Sequence, residues 1–428
     1  MDIDSICTEL RKGAETLALH NEAKKNYALS CVSKSLQASK SQILQANARD
    51  VERARNGGMV ESLVERLALD DKKFSSILNS IDIIIQQTDP IGEETSGWRT
   101  PNGLLIRQVR VPLGVVAIIY ESRPNVTVDA FALAYKSGNS ILLRGSSNAL
   151  ESNKAIVAAI KQGLKDAGGN GVLNSLYLCD NPDHSDVVQI LTAVGKIDVV
   201  LPRGGAKLIN AVVANARIPV IQTGAGVCHL YVDESADLQM AVEIACNAKM
   251  QRPGACNAIE TILVNKRIGS EFLPMLARAF DGKVQIRADE ICYPILVGAT
   301  RTGDVWQEHP NYIQRAVAED FGYEFLDNIV AIKAVESVDE AIAFINTHGT
   351  KHSEAIITND RAHAISFQNR VDSSCVYVNA STRFTDGGEF GFGAELGIST
   401  QKLHARGPMG IKALTTTKFL IDGDGQIR

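Results

Sequence analysis

Gly114-Val-Val-Ala-Ile-Ile-Tyr120 is the stretch that decides the fold, because it begins a series of short β-branched runs that alternate with alanine-rich segments. The further runs are residues 141–143, 176–178 and 199–201, and helical spacing of apolar residues marks segments near 126–137, 148–166, 183–194 and 205–215. Strands that alternate with helices at this spacing indicate a parallel sheet covered on both faces. The sequence therefore predicts a doubly wound α/β domain.

A second series of short apolar runs begins after Gly224-Ala225-Gly226 and comprises residues 229–232, 259–264, 329–332, 355–358 and 376–378. This series predicts a second α/β domain.

The first hundred residues instead read as helices, in stretches such as 30–55 and 60–85. Residues 103–111 and 414–421 read as strands outside both series. Because an exposed apolar strand has to be paired to avoid aggregation, we treat them as candidate assembly elements.

The composition is that of a soluble globular protein, with 45% hydrophobic and 22% charged residues among 428. A net charge of −5 and a pI near 6.0 provide no basic patch of the kind that nucleic-acid binding needs. The first residues lack both a positive start and an apolar run, and no apolar stretch is long enough for a membrane span. We therefore expect a cytoplasmic protein with a small-molecule ligand.

Cys256 stands out among eight cysteines because it lies just after the turn Pro253-Gly254 and before the apolar run 259–264. A thiol on such a bend, beside a backbone N–H that binds an oxyanion, suits covalent catalysis. The alternative is that Cys256 is a small core residue, as most lone cysteines are. The sequence contains no Cys-x-x-Cys pair, so it predicts neither a zinc site nor a disulfide framework. His348 and His352 have the spacing of a metal-binding pair but lack an acidic partner.

Three loops after predicted strands carry groups suited to anions. Asn125, in Tyr120-Glu-Ser-Arg-Pro-Asn125, has an amide that either donates to an oxyanion or satisfies the loop backbone. Arg144 and Ser147 follow the next strand and either seat a phosphate or cap a helix. Gly204-Gly205 opens a helix whose N–H groups suit a phosphate, although the turn itself also favours glycine. No Gly-x-Gly-x-x-Gly fingerprint follows any of these strands.

The order of these residues along the chain resembles that in the aldehyde dehydrogenase superfamily, and within it the branch that reduces γ-glutamyl phosphate. The resemblance covers nearly the whole length. The segments that carry it are Val-Pro-Leu-Gly-Val-Val (111–116), Tyr-Glu-Ser-Arg-Pro-Asn (120–125), Leu-Pro-Arg-Gly-Gly (201–205), Cys-His-Leu-Tyr-Val-Asp (228–233), Gln-Arg-Pro-Gly-Ala-Cys-Asn-Ala (251–258), Gly-Thr-Lys-His-Ser-Glu (349–354), Asn-Ala-Ser-Thr-Arg-Phe-Thr-Asp-Gly (379–387), Phe-Gly-Phe-Gly-Ala-Glu (390–395) and His-Ala-Arg-Gly-Pro-Met-Gly (404–410).

The resemblance implies an NADPH-dependent oxidoreductase that converts γ-glutamyl phosphate to glutamate-5-semialdehyde with release of phosphate, the second step of proline biosynthesis from glutamate. Cys256 is then the nucleophile that carries a thioester, and Asn125 with the Cys256 N–H forms the oxyanion hole. The positions that match dinucleotide contacts are Arg144, Ser147, Gly204 and Gly205. Glu324 matches the glutamate that holds the nicotinamide ribose.

Two features bear on specificity. Arg144 stands where superfamily members commonly have lysine, and its planar fork suits the ribose 2′-phosphate of NADP. Gln222 stands where members that hydrolyse their thioester place a glutamate base, and glutamine cannot take a proton from water.

The candidates for binding the substrate's carboxylate and phosphate are Arg123, Arg252, Arg383 and Arg406, each of which is alternatively an ordinary salt bridge. Phe344 and His348 depart from the expected His and Tyr, at positions outside the catalytic chemistry.

The resemblance also implies a domain division: residues 1–98 and 112–225 bind NADP, 226–395 form the catalytic domain, and 99–111 with 396–428 form a small β oligomerisation element. A homodimer or larger assembly follows, together with a functional link to glutamate 5-kinase. Two alternatives stay open from the residues alone, an aldehyde dehydrogenase that oxidises another substrate and a scaffold protein that keeps the fold without catalysis.

Overall fold

Five helices open the chain: α1 (Ile3–Ala18), α2 (Glu22–Ala38), α3 (Lys40–Asn56), α4 (Glu61–Leu67) and α5 (Asp71–Gln86). The computed structural model describes residues 2–169, 171–181, 185–300 and 312–428. Side-chain oxygens of Asp2, Asn21 and Asp70 accept the N–H three residues further on and so cap α1, α2 and α5. The helical prediction for the first hundred residues is confirmed as far as Gln86 and is wrong from Glu94, where strand β1 (Glu94–Arg99) begins.

The chain divides into two compact units. Unit 1 comprises Met1–Thr223, Gly387–Gly397 and Gln401–Arg428, and unit 2 comprises Gly224–Asp386 and Ile398–Thr400. No helix in the described ranges is long and apolar enough to cross a membrane. All eight cysteines lie in those ranges, and none forms a disulfide.

Unit 1 contains a parallel sheet of four strands that confirms the doubly wound prediction. After β2 (Leu105–Pro112) come β3 (Val115–Tyr120), β4 (Ser140–Arg144), β5 (Leu176–Leu178) and β6 (Val199–Arg203), in the spatial order β5-β4-β3-β6. The helices are α6 (Pro124–Lys136), α7 (Leu150–Asp166), α8 (Ser185–Leu191) and α9 (Ala206–Asn215). The predicted helix near 183–194 begins at residues that lie outside the described ranges.

Side chains of the central strand β3 alternate between two hydrophobic clusters. Val116 and Ile118 belong to one cluster, whereas Val115, Ala117 and Ile119 belong to the other. All five are buried, because helices cover both faces of the sheet. The strand order reverses at β3, which lies between β4 and β6, and ligands of such sheets bind at the carboxyl ends of the strands beside this reversal.

In the part of unit 2 that the structure describes, seven strands form a parallel sheet. They are β7 (Cys228–Val232), β8 (Ile259–Asn265), β9 (Gln285–Ala288), β10 (Ile313–Arg315), β11 (Ile329–Val335), β12 (Ser353–Ile357) and β13 (Cys375–Val378), in the order β10-β9-β11-β8-β7-β12-β13. The helices are α10 (Leu238–Met250), α11 (Gly269–Phe280), α12 (Cys292–Thr300), α13 (Val338–His348) and α14 (Arg361–Arg370). The five predicted strands are confirmed, and β9 and β10 were not predicted.

A separate antiparallel sheet in unit 1 contains both segments that the sequence marks as candidate assembly elements. Two strands of two residues each, β14 (Ile398–Ser399) and β15 (Gly407–Pro408), precede the final strand β16 (Thr415–Asp422) in the chain. Strand β16 pairs with β2, and β2 also pairs with β1. Trp98 meets Phe419 edge to face, with the ring centroids 6.1 Å apart. Both rings remain about half exposed, at 46% and 55%.

Candidate active site

Cys256 lies in the turn between α10 and β8, at the amino end of the unit 2 sheet. Two backbone hydrogen bonds close the turn: the N–H of Ala255 donates to the carbonyl of Arg252 over 3.1 Å, and that of Ala258 to the carbonyl of Ala255 over 3.0 Å. The Cys256 side chain is half-buried rather than part of the core. The structure therefore does not support the alternative that it is an ordinary core cysteine.

The backbone just before β7 supports this turn from one side. A Cβ at Gly226 would overlap the carbonyl oxygen of Cys256, so the close approach of the two backbones requires glycine at residue 226. The Gly226 N–H donates to Oε1 of Glu324 over 2.6 Å, and the Cys228 thiol donates to the Cys256 carbonyl oxygen over 3.2 Å. The carbonyl of the candidate nucleophile is thus fixed by its neighbours.

Asn257 attaches the same turn to a short 3₁₀ helix at Thr382–Phe384. Its Nδ2 donates to the carbonyl of Thr385 over 2.9 Å, and its own carbonyl accepts from Oγ1 of Thr382 over 2.7 Å. Asn257, Thr382 and Thr385 are all buried, so these bonds are shielded from competing water. They place Arg383, on the same 3₁₀ helix, beside the cysteine turn.

The Arg383 guanidinium brings positive charge to Cys256. Nε of Arg383 donates to Oε1 of Gln251 over 2.9 Å, and the Arg383 charge interacts with both Arg252 and Cys256. Burial, followed by the neighbouring charge of Arg252, lowers the pKa of Arg383, whereas the interaction with Cys256 raises it. Because an adjacent cation stabilises a thiolate, the charge of Arg383 acts in favour of the nucleophilic form of Cys256.

Five other cysteines have the opposite environment. Burial raises the pKa of Cys7 to about 11 and that of Cys179 to about 12, and it also raises the pKa values of Cys228, Cys246 and Cys292. These thiols stay protonated near neutral pH. Cys228 can therefore act as a hydrogen-bond donor to Cys256 and does not compete with it as a nucleophile.

A buried polar chain extends behind Cys228. Its sulfur lies 3.7 Å from Nδ1 of His352, which in turn lies 2.8 Å from Oγ of Ser353. Ser353 donates to Oγ1 of Thr385 over 2.7 Å, and the Tyr377 hydroxyl lies at the same distance from that oxygen. The chain ends at the residue whose carbonyl binds Asn257, so the supports on the two sides of the cysteine turn are connected.

Asn125 is the second residue of α6 in unit 1, after Pro124, whose fixed φ suits the first position of a helix. Its Nδ2 donates to Oδ2 of Asp129, one helical turn later, over 3.1 Å. The loop-backbone alternative for Asn125 is therefore not what the structure shows. Since an amide nitrogen has two hydrogens, this bond leaves one N–H for a further acceptor.

The predicted phosphate position at the start of α9 already carries a carboxylate. Gly205 is the N-cap of α9, and its N–H donates to Oε2 of Glu121 over 3.0 Å. A Cβ at Gly204 would lie 2.6 Å from the carboxyl carbon of Glu121, so a larger residue there would require the Glu121 carboxylate to shift. The helix end therefore accepts an anionic oxygen, which is the chemistry that a dinucleotide phosphate presents.

The remaining predicted cofactor residues are distributed over both units. In unit 1, Arg144 ends β4 as a buried side chain and donates from Nη1 to the carbonyl of Gly145 over 2.6 Å, and the exposed Ser147 begins a 3₁₀ turn. Glu324 belongs to unit 2, where it accepts from Gly226. Within unit 1, Arg144, Ser147 and the helix end at Gly205 supply a cation and hydrogen-bond donors that suit a phosphate-bearing dinucleotide.

Of the four candidate substrate arginines, Arg383 interacts through its charge with Cys256, and Arg252 belongs to the cysteine turn and interacts with Arg383. Arg123 is the N-cap of α6, directly before the segment that contains Asn125. Arg406 is an exposed residue of unit 1. Gln222 also belongs to unit 1, and its backbone N–H donates to Oε1 of Gln401 over 2.9 Å.

Sequence reasoning missed the residues that support the candidate site. They are Glu121, Asp129, Gly226, Cys228 and Asn257. Glu121, Cys228 and Asn257 lie inside segments that carry the resemblance, yet no local pattern distinguishes them. Asp129 had a readable signal, because an acidic residue four positions after an asparagine faces it on a helix.

Comparison with known proteins agrees with this geometry. The sequence profile described as the aldehyde dehydrogenase family matches residues 12–322. A γ-glutamyl phosphate reductase of Alkaliphilus metalliredigens is 49% identical over 422 residues, which are 99% of this chain and 98% of the relative. The γ-glutamyl phosphate reductase of Dictyoglomus turgidum is 48% identical over 430 residues, and the alignment covers 100% of this chain and 100% of the relative.

The crystal structure of γ-glutamyl phosphate reductase from Thermotoga maritima has a TM-score of 0.94 to this structure at 44% identity, with 100% of both chains covered. The chain therefore belongs to the aldehyde dehydrogenase family of oxidoreductases. These two relatives and this solved structure are γ-glutamyl phosphate reductases, and each matches at least 99% of the chain.

Proposed function

We propose that the protein reduces γ-glutamyl phosphate to glutamate-5-semialdehyde with NADPH and releases inorganic phosphate, as the second step of proline biosynthesis from glutamate. The observation that carries the proposal is the half-buried thiol of Cys256 on a hydrogen-bonded turn that contains Arg252 and lies beside Arg383. Full-length similarity to γ-glutamyl phosphate reductases supports the choice of substrate.

In the first step the Cys256 thiolate attacks the acyl carbonyl of the substrate and forms a C–S bond. The Cys256 backbone N–H and the remaining N–H of Asn125 stabilise the resulting oxyanion, a role for which preorganised donors are effective. Collapse of this intermediate breaks the C–O bond to the phosphoryl group, and inorganic phosphate leaves with that electron pair. The product is a thioester on Cys256.

Arg252 and Arg383 suit this step in two ways. Their charges stabilise the attacking thiolate, and they attract a substrate that carries a phosphate and a carboxylate. Arg123 and Arg406 remain candidates for the second anionic group. An acyl phosphate has to be supplied by a kinase that acts on the γ-carboxylate of glutamate, and we therefore expect a functional link to glutamate 5-kinase.

For the second step, a reduced nicotinamide would supply hydride to the thioester carbonyl when bound. The same oxyanion donors stabilise the tetrahedral thiohemiacetal, which then collapses, returns the C–S electron pair to Cys256 and releases the aldehyde. Arg144, Ser147, Gly204 and Gly205 would hold the dinucleotide in unit 1, with Glu324 on the nicotinamide ribose. We assign NADPH because the Arg144 guanidinium suits a 2′-phosphate.

The thioester has to survive until it is reduced. Gln222 occupies the position of the glutamate that activates water in family members that hydrolyse their thioesters, and an amide cannot accept a proton from water. Its presence supports a reductase rather than an enzyme that oxidises aldehydes to free acids.

The reverse reaction provides a direct test. The purified protein should reduce NADP in the presence of glutamate-5-semialdehyde and inorganic phosphate, as measured by absorbance of NADPH. Cys256→Ser should abolish the reaction, whereas the matched variant Cys246→Ser, which changes a half-buried cysteine on α10, should leave it intact. Trapping the acylated cysteine and identifying its peptide by mass spectrometry would locate the thioester.

Three results would contradict separate parts of the proposal. Reduction of NADP without any need for phosphate would identify an enzyme that oxidises aldehydes by hydrolysis. Unchanged activity of Cys256→Ser would rule out the covalent mechanism. Equal or faster turnover with NAD would overturn the assignment of NADP.

We also propose a homo-oligomer, at least a dimer, assembled through the β1-β2-β16 sheet. Trp98, Phe419 and Ile421 on this sheet are 46%, 55% and 58% exposed, and such apolar surface favours burial against another copy. Light scattering should give at least twice the chain mass, reduced for Phe419→Asp but not for Leu19→Asp, which changes an exposed apolar residue outside the sheet. A monomeric wild type would refute this assembly.

A further inference from the structure

Asp129 is a charged residue that the mechanism above does not use, although it contacts a residue that the mechanism needs. It lies on α6, one turn after Asn125, and its Oδ2 accepts the hydrogen bond from Asn125 Nδ2 over 3.1 Å. The contact is part-buried. It is the only side-chain hydrogen bond that Asn125 forms within the described ranges.

We infer that Asp129 is a positioning residue that fixes the orientation of the Asn125 amide and so determines which atom Asn125 presents to the reacting carbonyl. The inference rests on the proposed function, in which Asn125 stabilises the oxyanion. Asp129 itself acts through Asn125 and does not touch the substrate.

The physical reason lies in the two ends of an amide. The oxygen and the nitrogen of an asparagine side chain have nearly the same size, so sterics alone does not distinguish the two flipped orientations. A carboxylate only accepts hydrogen bonds and therefore selects the nitrogen as its neighbour. When one N–H of Asn125 donates to Asp129, the second N–H stays on the same side of the amide, where it can donate to an oxyanion. A flipped amide would present its oxygen there and repel the developing negative charge.

This selection depends on the ionisation of Asp129. Burial raises the pKa of Asp129 to about 6, while the hydrogen bond from Asn125 and the charge of Arg203 both lower it. Arg203, at the end of β6, is the charged group that faces Asp129 from another element. Asp129 is therefore ionised at pH 7.5. Below about pH 6 the protonated carboxyl can donate to the amide oxygen, and the preference for one orientation is lost.

Asp129→Asn tests the inference because it keeps the size of the side chain but can both donate and accept. We expect kcat of the reverse reaction at pH 7.5 to fall about tenfold, within the 100- to 1,000-fold limit set by loss of a whole oxyanion donor. KM for the semialdehyde should change less than about twofold, since the effect acts on the transition state. In the wild type, kcat should decline below about pH 6 as Asp129 is protonated, and this decline should be weaker in Asp129→Asn.

A matched control exists on α7, where Nε2 of Gln162 donates to Oδ1 of Asp166 over 2.7 Å with the same four-residue spacing. Asp166→Asn removes the same kind of contact away from the candidate site and should leave kcat and its pH profile unchanged. Circular dichroism and thermal unfolding of both variants show whether either change disturbs the fold.

A double-mutant cycle separates a positioning role from a structural one. In an Asn125→Ala background, Asp129→Asn should cause no further loss of kcat, because there is no amide left to orient. If Asn125→Ala lowers kcat about 100-fold, the oxyanion role of Asn125 stands. Additive losses in the cycle, or wild-type kcat in Asp129→Asn, would then overturn only the positioning role of Asp129. Wild-type kcat in Asn125→Ala would instead overturn the proposed oxyanion role, and the inference with it.

Discussion

The backbone of Gly226 lies against the carbonyl oxygen of Cys256 so closely that any side chain at residue 226 would overlap this oxygen. Gly226 precedes β7 and Cys256 precedes β8, and these neighbouring parallel strands bring the two loops together at the amino end of the sheet. The geometry of the candidate nucleophile therefore depends on a glycine in another loop.

Gly226→Ala should lower both stability and activity. The added Cβ meets backbone atoms that cannot rotate away, so we expect a loss of about 3 kcal/mol in unfolding free energy. Displacement of the Cys256 turn should reduce kcat about 100-fold, since misplacement by about 1 Å has effects of that size. The control Gly298→Ala, in α12, has open space around its Cβ and should unfold no more easily than wild type. Wild-type kcat in Gly226→Ala would show that the turn tolerates displacement.

Arg383→Gln should make the Cys256 thiol less reactive. Removal of one nearby positive charge destabilises the thiolate by about 1 kcal/mol, which corresponds to roughly a fivefold slower alkylation by iodoacetamide at pH 7. Peptide-level mass spectrometry measures this rate for Cys256 separately from the other cysteines. Arg278→Gln changes an arginine on α11 that bonds only to the Pro274 carbonyl within the described chain and should have no effect. Equal alkylation rates in the two variants would disprove the electrostatic role of Arg383.

Glu121→Gln should strengthen the binding of the dinucleotide. The Glu121 carboxylate accepts from the Gly205 N–H at the start of α9, the position proposed for a cofactor phosphate, so its charge opposes the incoming anion. Removing one like charge should lower Kd for NADPH about fivefold, corresponding to about 1 kcal/mol. Titration by fluorescence or calorimetry measures this, with Glu15→Gln, an exposed change on α1, as control. Weaker binding by Glu121→Gln would mean that the carboxylate supports the cofactor instead of competing with it.

His363→Gln should destabilise unit 2 in a pH-dependent manner. Nδ1 of His363 lies 3.0 Å from a carboxylate oxygen of the buried Asp233, and this hydrogen bond is the main cause that raises the pKa of His363 above 6.5. Asp360 and Glu234 also raise it, against the effect of burial. Burial alone would raise the pKa of Asp233, but hydrogen bonds from Ser235, His363 and Thr358 lower it, so Asp233 stays ionised throughout the relevant range.

Because the folded pKa of His363 is raised, its charged form stabilises the protein fully below about pH 6.5, and this contribution is lost as the pH rises through the folded value. The difference in unfolding free energy between wild type and His363→Gln should therefore be about 1 kcal/mol larger at pH 5.5 than at pH 8.5. Urea unfolding at the two pH values measures it. A difference that is constant or grows with pH would exclude the ion pair as its source.

The architecture was predictable wherever the local pattern is long and apolar. The four strands of the unit 1 sheet and five strands of the unit 2 sheet follow from β-branched runs such as Val115–Tyr120. The prediction missed β9 and β10, because Gln285-Ile-Arg-Ala288 and Ile313-Gln-Arg315 contain polar residues and form no apolar run. It also missed β1, whose residues Glu94-Thr-Ser-Gly-Trp-Arg99 are all exposed, because pairing with β2 rather than burial stabilises this strand.

The chemical groups can be read from the sequence alone: a thiol after a Pro-Gly turn, an amide at the start of a helix, a Gly-Gly pair after a strand and the arginines near them. Their environments, in contrast, arise from the tertiary structure. Asn257 binds the Thr385 carbonyl across 128 residues of chain, and this contact places Arg383 beside Cys256. Thiol ionisation and amide orientation depend on distances through space to charges and backbone oxygens, and a one-dimensional pattern does not contain those distances.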